Sequence, residues 1–107
     1  MILDDIHERL KCLDIPVAYN VMRNETSAPY VVFYETGGEN YGGDYHNFIR
    51  KRNVKIELYC KEKNSELEQK LEQLFIDCEL DVSETWLENS DLIRTTYEFQ
   101  TVNKIRF

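Results

Sequence analysis

The 107-residue sequence has few of the features on which metal centres, disulfide frameworks and membrane spans depend. Its three cysteines, Cys12, Cys60 and Cys78, are widely spaced and form no CxxC pair, which disfavours both a zinc site and a disulfide framework. No apolar run approaches about 18 residues, so we expect no membrane-spanning helix. The N-terminal residues lack the basic and apolar regions of a signal peptide. We therefore expect a protein without cofactor, metal or membrane association.

Glycine is confined to one short segment, because all four glycines lie between residues 37 and 43. So dense a cluster predicts a flexible, surface-exposed loop over residues 36–44. The segment is acidic and contains neither GxGxxG nor GxxxxGK[ST], which argues against phosphate binding. Tyr41 and Tyr45 flank these glycines, and we expect both to contact a partner protein.

Histidine is also scarce, with only His7 and His46 in the chain. Asp44 and His46 would share one face of a strand, and a carboxylate–histidine pair can act in acid–base catalysis. No serine or cysteine nucleophile lies beside them in sequence. An enzyme using this pair is an alternative, but we expect a protein that is not an enzyme.

The formal net charge is −7, and a negative protein is not expected to bind nucleic acid or an anionic membrane nonspecifically. The charged residues are also unevenly distributed along the sequence. Residues 50–55 contain four basic residues and no acid, whereas residues 79–91 contain five acidic residues and no base. A solvated surface is the simpler explanation for each run, and pairing between neighbouring subunits is the sharper hypothesis. The candidate interface residues are Arg50, Lys51 and Arg52 on the basic side and Asp81, Glu84 and Glu88 on the acidic side.

The clearest local pattern is a strand followed by a helix. Apolar residues alternate from Val54 to Cys60, which predicts a strand over residues 50–60. Apolar residues then recur at helical spacing from Leu67 to Cys78, which predicts a helix over residues 65–78. Ser65 and Glu68 have the spacing of a capping box at the start of that helix.

The remaining segments complete a predicted order of α-β-β-β-α-β-β. A helix is expected over residues 2–14, and strands over 17–22, 30–35, 81–86 and 92–102. Hairpin-type connections dominate this order, so we predict one α+β domain over residues 1–107. Its sheet should be mostly antiparallel with two helices packed on one face, and its edge strands could serve as docking surfaces.

Four segments carry a resemblance to a known family. They are residues 15–20 and 29–34, residues 54–59 with the helix start at 61–68, and the closing strand at 97–99. Together they resemble the small tail-completion proteins of long-tailed bacteriophages and prophages, also called tail terminators or tail-to-head joining proteins. The resemblance covers nearly the whole chain and departs at the segment 40–45, which is richer in glycine and tyrosine.

This resemblance implies a structural role in the virion. Such proteins are not enzymes and form rings, typically hexamers, at the head-proximal end of the tail tube. The ring would contact other copies of itself, the tail tube protein and the head connector proteins, and DNA would pass through without specific binding. The resemblance thus implies location in the virion tail, and in the host cytoplasm during assembly.

Two other functions remain open from the sequence. A small acidic adaptor or inhibitor that binds a host protein would also explain the negative net charge. Another head–tail connector component would share the same structural features.

Overall fold

A computed structural model describes residues 1–22, 26–42 and 47–106. The predicted order of two helices and five strands is confirmed. The elements are α1 (Leu3–Lys11), β1 (Val17–Tyr19), β2 (Tyr30–Tyr41), β3 (Asn47–Cys60), α2 (Ser65–Leu74), β4 (Asp81–Leu87) and β5 (Leu92–Arg106). Within these described residues, neither helix is long and apolar enough to cross a bilayer.

The five strands form one sheet in the order β1-β2-β3-β5-β4. Only the short β1 runs parallel to its neighbour β2, and the other three pairs are antiparallel. The prediction of a mostly antiparallel sheet is therefore confirmed. Strand β3 is the centre of the sheet, because β2 and β5 pair with it along most of its length.

One face of the sheet packs against both helices. Alternate residues of the central strands point to this face, and Ile6, Leu10, Leu67 and Leu71 of the helices cover them. The buried sheet side chains on this face are Val31, Phe33, Val54, Ile56, Leu58, Cys60, Tyr97 and Phe99. The alternation predicted for β3 and for β5 is thus observed, and it defines the core.

The glycine-rich segment differs from its prediction. Residues 36–41 were expected in a loop, but they continue β2 and pair with β3 from Gly37–Asn53 to Tyr41–Ile49. An irregularity in register lies between Glu35 and Gly37, and Gly37 adopts a φ of 143°, which favours glycine. The prediction failed because pairing with a long partner strand outweighs the low strand preference of glycine. The segment is nevertheless exposed, as expected.

The strand and helix bounds also differ at several ends. β1 stops at Tyr19, where Asn20 takes a positive φ of 71°. β5 continues to Arg106 rather than ending at residue 102, because β3 supplies a partner for every added residue. Helix α2 ends at Leu74, four residues earlier than predicted.

The start of α2 is capped by a different residue from the one predicted. The side chain of Asn64, not that of Ser65, accepts a hydrogen bond from the backbone N–H of Leu67 at 3.1 Å. Ser65 is the first helical residue. As the cap, Asn64 accepts from the N–H three residues on, that of Leu67, whereas a capping Ser65 would have accepted from the N–H of Glu68.

The end of α2 is joined to α1 through Arg9. Its guanidinium donates to the Leu74 carbonyl at 3.0 Å and to both carboxylate oxygens of Asp77 at 2.7 and 3.0 Å. The same guanidinium lies 5.4 Å from the centre of the Phe75 ring. This arrangement lowers the pKa of the Asp77 carboxyl to about 2.

We expect Asn64→Ala to lower the free energy of unfolding by about 1 kcal/mol, because the Leu67 N–H loses its acceptor. Ser65→Ala is the matched control and should change stability by less than about 0.5 kcal/mol. Urea unfolding followed by circular dichroism measures both. A larger loss for Ser65→Ala than for Asn64→Ala would contradict the observed cap.

We also expect stability to fall in acid partly through Asp77. Its folded-state pKa lies below the ordinary value of 3.8, so its contribution is present above pH 4 and is lost as pH falls toward 2. Asp77→Asn should therefore flatten the stability profile between pH 4 and pH 2, measured by thermal unfolding. Glu62→Gln, at an exposed residue, is the control and should leave that part of the profile unchanged.

Candidate assembly surfaces

The sheet extends beyond the helices as a three-stranded projection, which we call the arm. It consists of residues 37–41 of β2, 47–53 of β3 and 100–106 of β5, which pair with one another row by row. The arm contributes to an elongated shape, with principal dimensions of 50 × 25 × 22 Å. The buried apolar cluster lies mainly in the other half of the sheet, and the outer face of the arm is exposed to other molecules.

Both sides of the arm end in strand edges that lack a partner among the described residues. Pairing of β1 with β2 involves only residues 31–33 of β2, so residues 37–41 form one edge. Pairing of β4 with β5 ends at Glu98, so residues 100–106 form the other edge. Every second residue of such an edge directs its N–H and C=O outward, where they can pair with another strand.

An apolar patch lies on the face of the arm that points away from the helices. Tyr41, Ile49 and Val102 occupy this face, and their exposed fractions are 48%, 41% and 57%. The ammonium of Lys51 lies 5.0 Å from the centre of the Tyr41 ring. Three exposed apolar side chains beside a cation are typical of a surface that binds protein.

The predicted basic residues all lie on the arm but point to opposite faces. Lys51 shares the outer face with Tyr41, whereas Arg50 and Arg52 point to the helix side. The guanidinium of Arg52 donates to Asn40 Oδ1 at 3.0 Å and to the Lys51 carbonyl at 2.9 Å, and lies 4.0 Å from Glu35 Oε2. Arg52 therefore braces β3 against β2 within one copy, in addition to any contact with a partner.

On the helix side, the N-terminus is fastened to the arm. The Met1 ammonium donates to Asn103 Oδ1 at 2.6 Å, and Asn103 Nδ2 donates to the Met1 carbonyl at 2.8 Å. These bonds connect the residue at the start of the chain, two positions before α1, to β5. They position the arm relative to the helical layer.

The predicted acidic residues lie outside the arm, in and just after the outermost strand β4. Asp81 and Glu84 are in β4, Glu88 follows it, and all three are exposed. Glu84 accepts from the Lys63 ammonium at 2.8 Å, and Lys63 also contacts Glu68 at 2.9 Å. The structure does not bring the acidic and basic runs together within one copy, and their pairing between copies stays a prediction.

An ionic cluster centred on the buried Glu57 lies in the middle of the outer face. Glu57 is only 8% exposed, accepts from the Tyr59 hydroxyl at 3.1 Å and lies 3.5 Å from Arg94 Nη1. Burial and the nearby carboxylate raise the pKa of Tyr59 to about 12. Tyr59 also stacks on Tyr30, with ring centres 4.8 Å apart. Glu57 thus contacts both Tyr59 and Arg94 of its own chain, which is typical of a structural cluster rather than a reactive one.

Residues Asp44, Tyr45 and His46 lie outside the described residues, so the predicted partner contact of Tyr45 and the alternative Asp44–His46 site stay predictions. Among the residues that are described, no group of three or more histidine, cysteine, aspartate or glutamate side chains is placed to hold a metal ion.

Two charged residues of the arm were missed from the sequence. Glu39 lies near the β2 edge and Lys104 near the β5 edge, and both are exposed on the outer face. Each is a single charge in a mixed segment and belongs to neither charge run. Lys104 could have been assigned to the outer face by extending the alternation of β5 past residue 102. Glu39 could not, because its segment was predicted to be a loop.

We expect Gly38→Ala to disrupt the arm. An added Cβ at Gly38 would lie 2.0 Å from the Lys51 carbonyl oxygen and 2.9 Å from the Arg52 Cα, so β2 and β3 must separate there. Amide exchange over residues 37–41 and 49–53 should accelerate, and stability should fall by about 1–3 kcal/mol. Thr36→Ala in the same strand is the control, with a change within about 0.5 kcal/mol. Unchanged exchange in Gly38→Ala would show that the strands do not pair as described.

Comparison with known proteins supports the architecture. No protein-family model matches the chain, and no curated protein sequence matches it. Its fold is similar to that of a chain in a solved structure described as the virion of a native gene transfer agent particle, with a TM-score of 0.67. The similarity covers 95% of this chain and 92% of that chain at 10% sequence identity. At this identity the comparison establishes that the two chains share a fold over nearly their whole lengths.

Proposed function

We propose that this protein is a structural subunit of a tailed, phage-like virion. The observation that carries the proposal is the shared fold with a chain of a gene transfer agent virion, which extends over nearly the full length of both chains. The segments that resemble tail-completion proteins lie in α1–β1, β2, β3–α2 and β5, which are parts of that same fold. Sequence and fold thus favour the same class of protein independently.

Within the virion, the role we propose is that of a tail terminator. A ring of copies, typically six in the family that the sequence resembles, would cap the tail tube at its head-proximal end and join it to the head connector. The arm suits such a role, because it offers an exposed apolar patch and free strand edges outside the packed core. The protein would act by binding alone, without catalysis or cofactor.

The negative net charge of −7 is compatible with DNA passing through such a ring. Acidic surfaces repel the phosphate backbone, so DNA would slide past without binding. The protein would reside in the virion tail and, during assembly, in the host cytoplasm.

The test is to add the purified protein to purified tail tube protein from the same genome while tubes are growing. We expect shorter tubes with added density at one end in electron micrographs, because a bound ring blocks further addition. Lys70→Glu, on the exposed surface of α2, is a control that should terminate tubes as the wild type does.

Two results would count against the terminator role. Tubes of unchanged length with no bound protein would contradict it. Binding to head connector proteins without tubes would favour another connector component, and stoichiometric capture of one host protein would favour the acidic adaptor.

A further inference from the structure

The two free edges of the arm lie on either side of β3 over five rows and differ in charge. The β2 edge comprises residues 37–41, and the β5 edge comprises residues 100–106. Across β3 the two edges are in register over five rows, from Gly37 opposite Gln100 to Tyr41 opposite Lys104. Residues 37–41 contain one acid, Glu39, and no base, whereas residues 100–106 contain two bases and no acid. Each edge would repel a second copy of itself and attract the other.

The charged side chains nearest the two edges lie on the same face. Glu39 pairs across the sheet with Lys51, and Lys104 pairs with Ile49, so both point to the outer face of the arm. Both are exposed, and Glu39 accepts a hydrogen bond from the Tyr41 hydroxyl. When two strands pair, same-face neighbours come within contact distance, so an incoming β5 edge can bring Lys104 to Glu39.

We propose that the β5 edge of one copy pairs with the β2 edge of a second copy, with Lys104 of the first contacting Glu39 of the second. β2 and β5 are both antiparallel to β3 and therefore run in the same direction. A rotation that keeps the strand direction brings the two edges together as a parallel pair. The contact uses two different edges, so it is head-to-tail and each copy can bind two neighbours.

The glycines of the β2 edge suit this contact. No atom of the described residues lies within 4 Å of the position that a Cβ would occupy on Gly37, so the outer face is open there. Without side chains at Gly37 and Gly38, another backbone can approach closely at this end of the edge. The glycines that led to the prediction of a loop can therefore favour pairing of this strand edge with another strand.

This inference rests on self-association, which is one part of the proposed function, and is independent of the tail tube and connector. It is tested on the purified full-length chain by sedimentation velocity across a concentration series. We expect Lys104→Glu and Glu39→Lys each to raise the concentration needed for assembly at least about tenfold, since each places like charges in contact. The double variant carrying both changes should assemble as the wild type does.

The sharpest test mixes the two single variants. In a head-to-tail contact, the glutamate introduced at 104 faces the lysine introduced at 39, and the native pair forms at the next junction. Mixing should therefore restore assembly, with the two variants alternating. Lys70→Glu is the charge-matched control and should assemble like the wild type. Circular dichroism of each variant confirms that the chain is folded.

Two outcomes overturn the proposal. A wild-type chain that stays monomeric at all concentrations would show that the edges do not bind another copy. Failure of both the double variant and the mixture to recover would show that Glu39 and Lys104 do not meet. Self-assembly with all the expected charge effects, but without any action on tail tubes, would sustain this contact and reject the terminator role.

Discussion

The structure depends on the antiparallel ladder centred on β3. This strand is paired on both sides along most of its length. In the arm, the outer sides of its partners β2 and β5 are not paired with any of the described residues. In the helix-covered half, β3 contributes Val54, Ile56 and Leu58 to the core. In the arm, the same strand has backbone pairing but little apolar burial. One ladder thus joins a stable half to a half that is exposed and held mainly by hydrogen bonds.

This division explains which parts of the fold could be predicted from sequence. The core half follows from local pattern, because alternate apolar residues identify a strand with one buried face and a helical stripe identifies its cover. Leu67 and Leu71 were placed correctly for that reason. The arm has no such pattern, since its residues are mixed, polar and rich in glycine. Its outer strands form because β3 is long enough to pair with both of them, and that pairing between distant segments is not visible in the local sequence.

The candidate site divides in the same way. Tyr41 and Lys51 were identified from composition and charge, and they meet on the outer face of the arm at 5.0 Å. Arg52 was identified as an interface residue, yet its guanidinium is largely engaged by Glu35 and Asn40 of its own chain. A charge run records where basic residues are dense, and it does not record which of them already have partners. The register of the strands is needed to distinguish basic residues that are paired within the chain from those that can contact a partner.

An exposed strand edge imposes a further constraint on any assembly. Natural proteins protect such edges with charge, short length or a covering element, because an unpaired edge invites aggregation. The outer strand β4 carries acidic residues and β1 is only three residues long, so both ends of the sheet are protected. The arm edges have no comparable cover among the described residues. Pairing them head-to-tail in an open chain of copies would always leave one edge of each kind free to grow. A closed ring leaves none, so the arrangement that satisfies every arm edge is also the one that limits assembly to a fixed size.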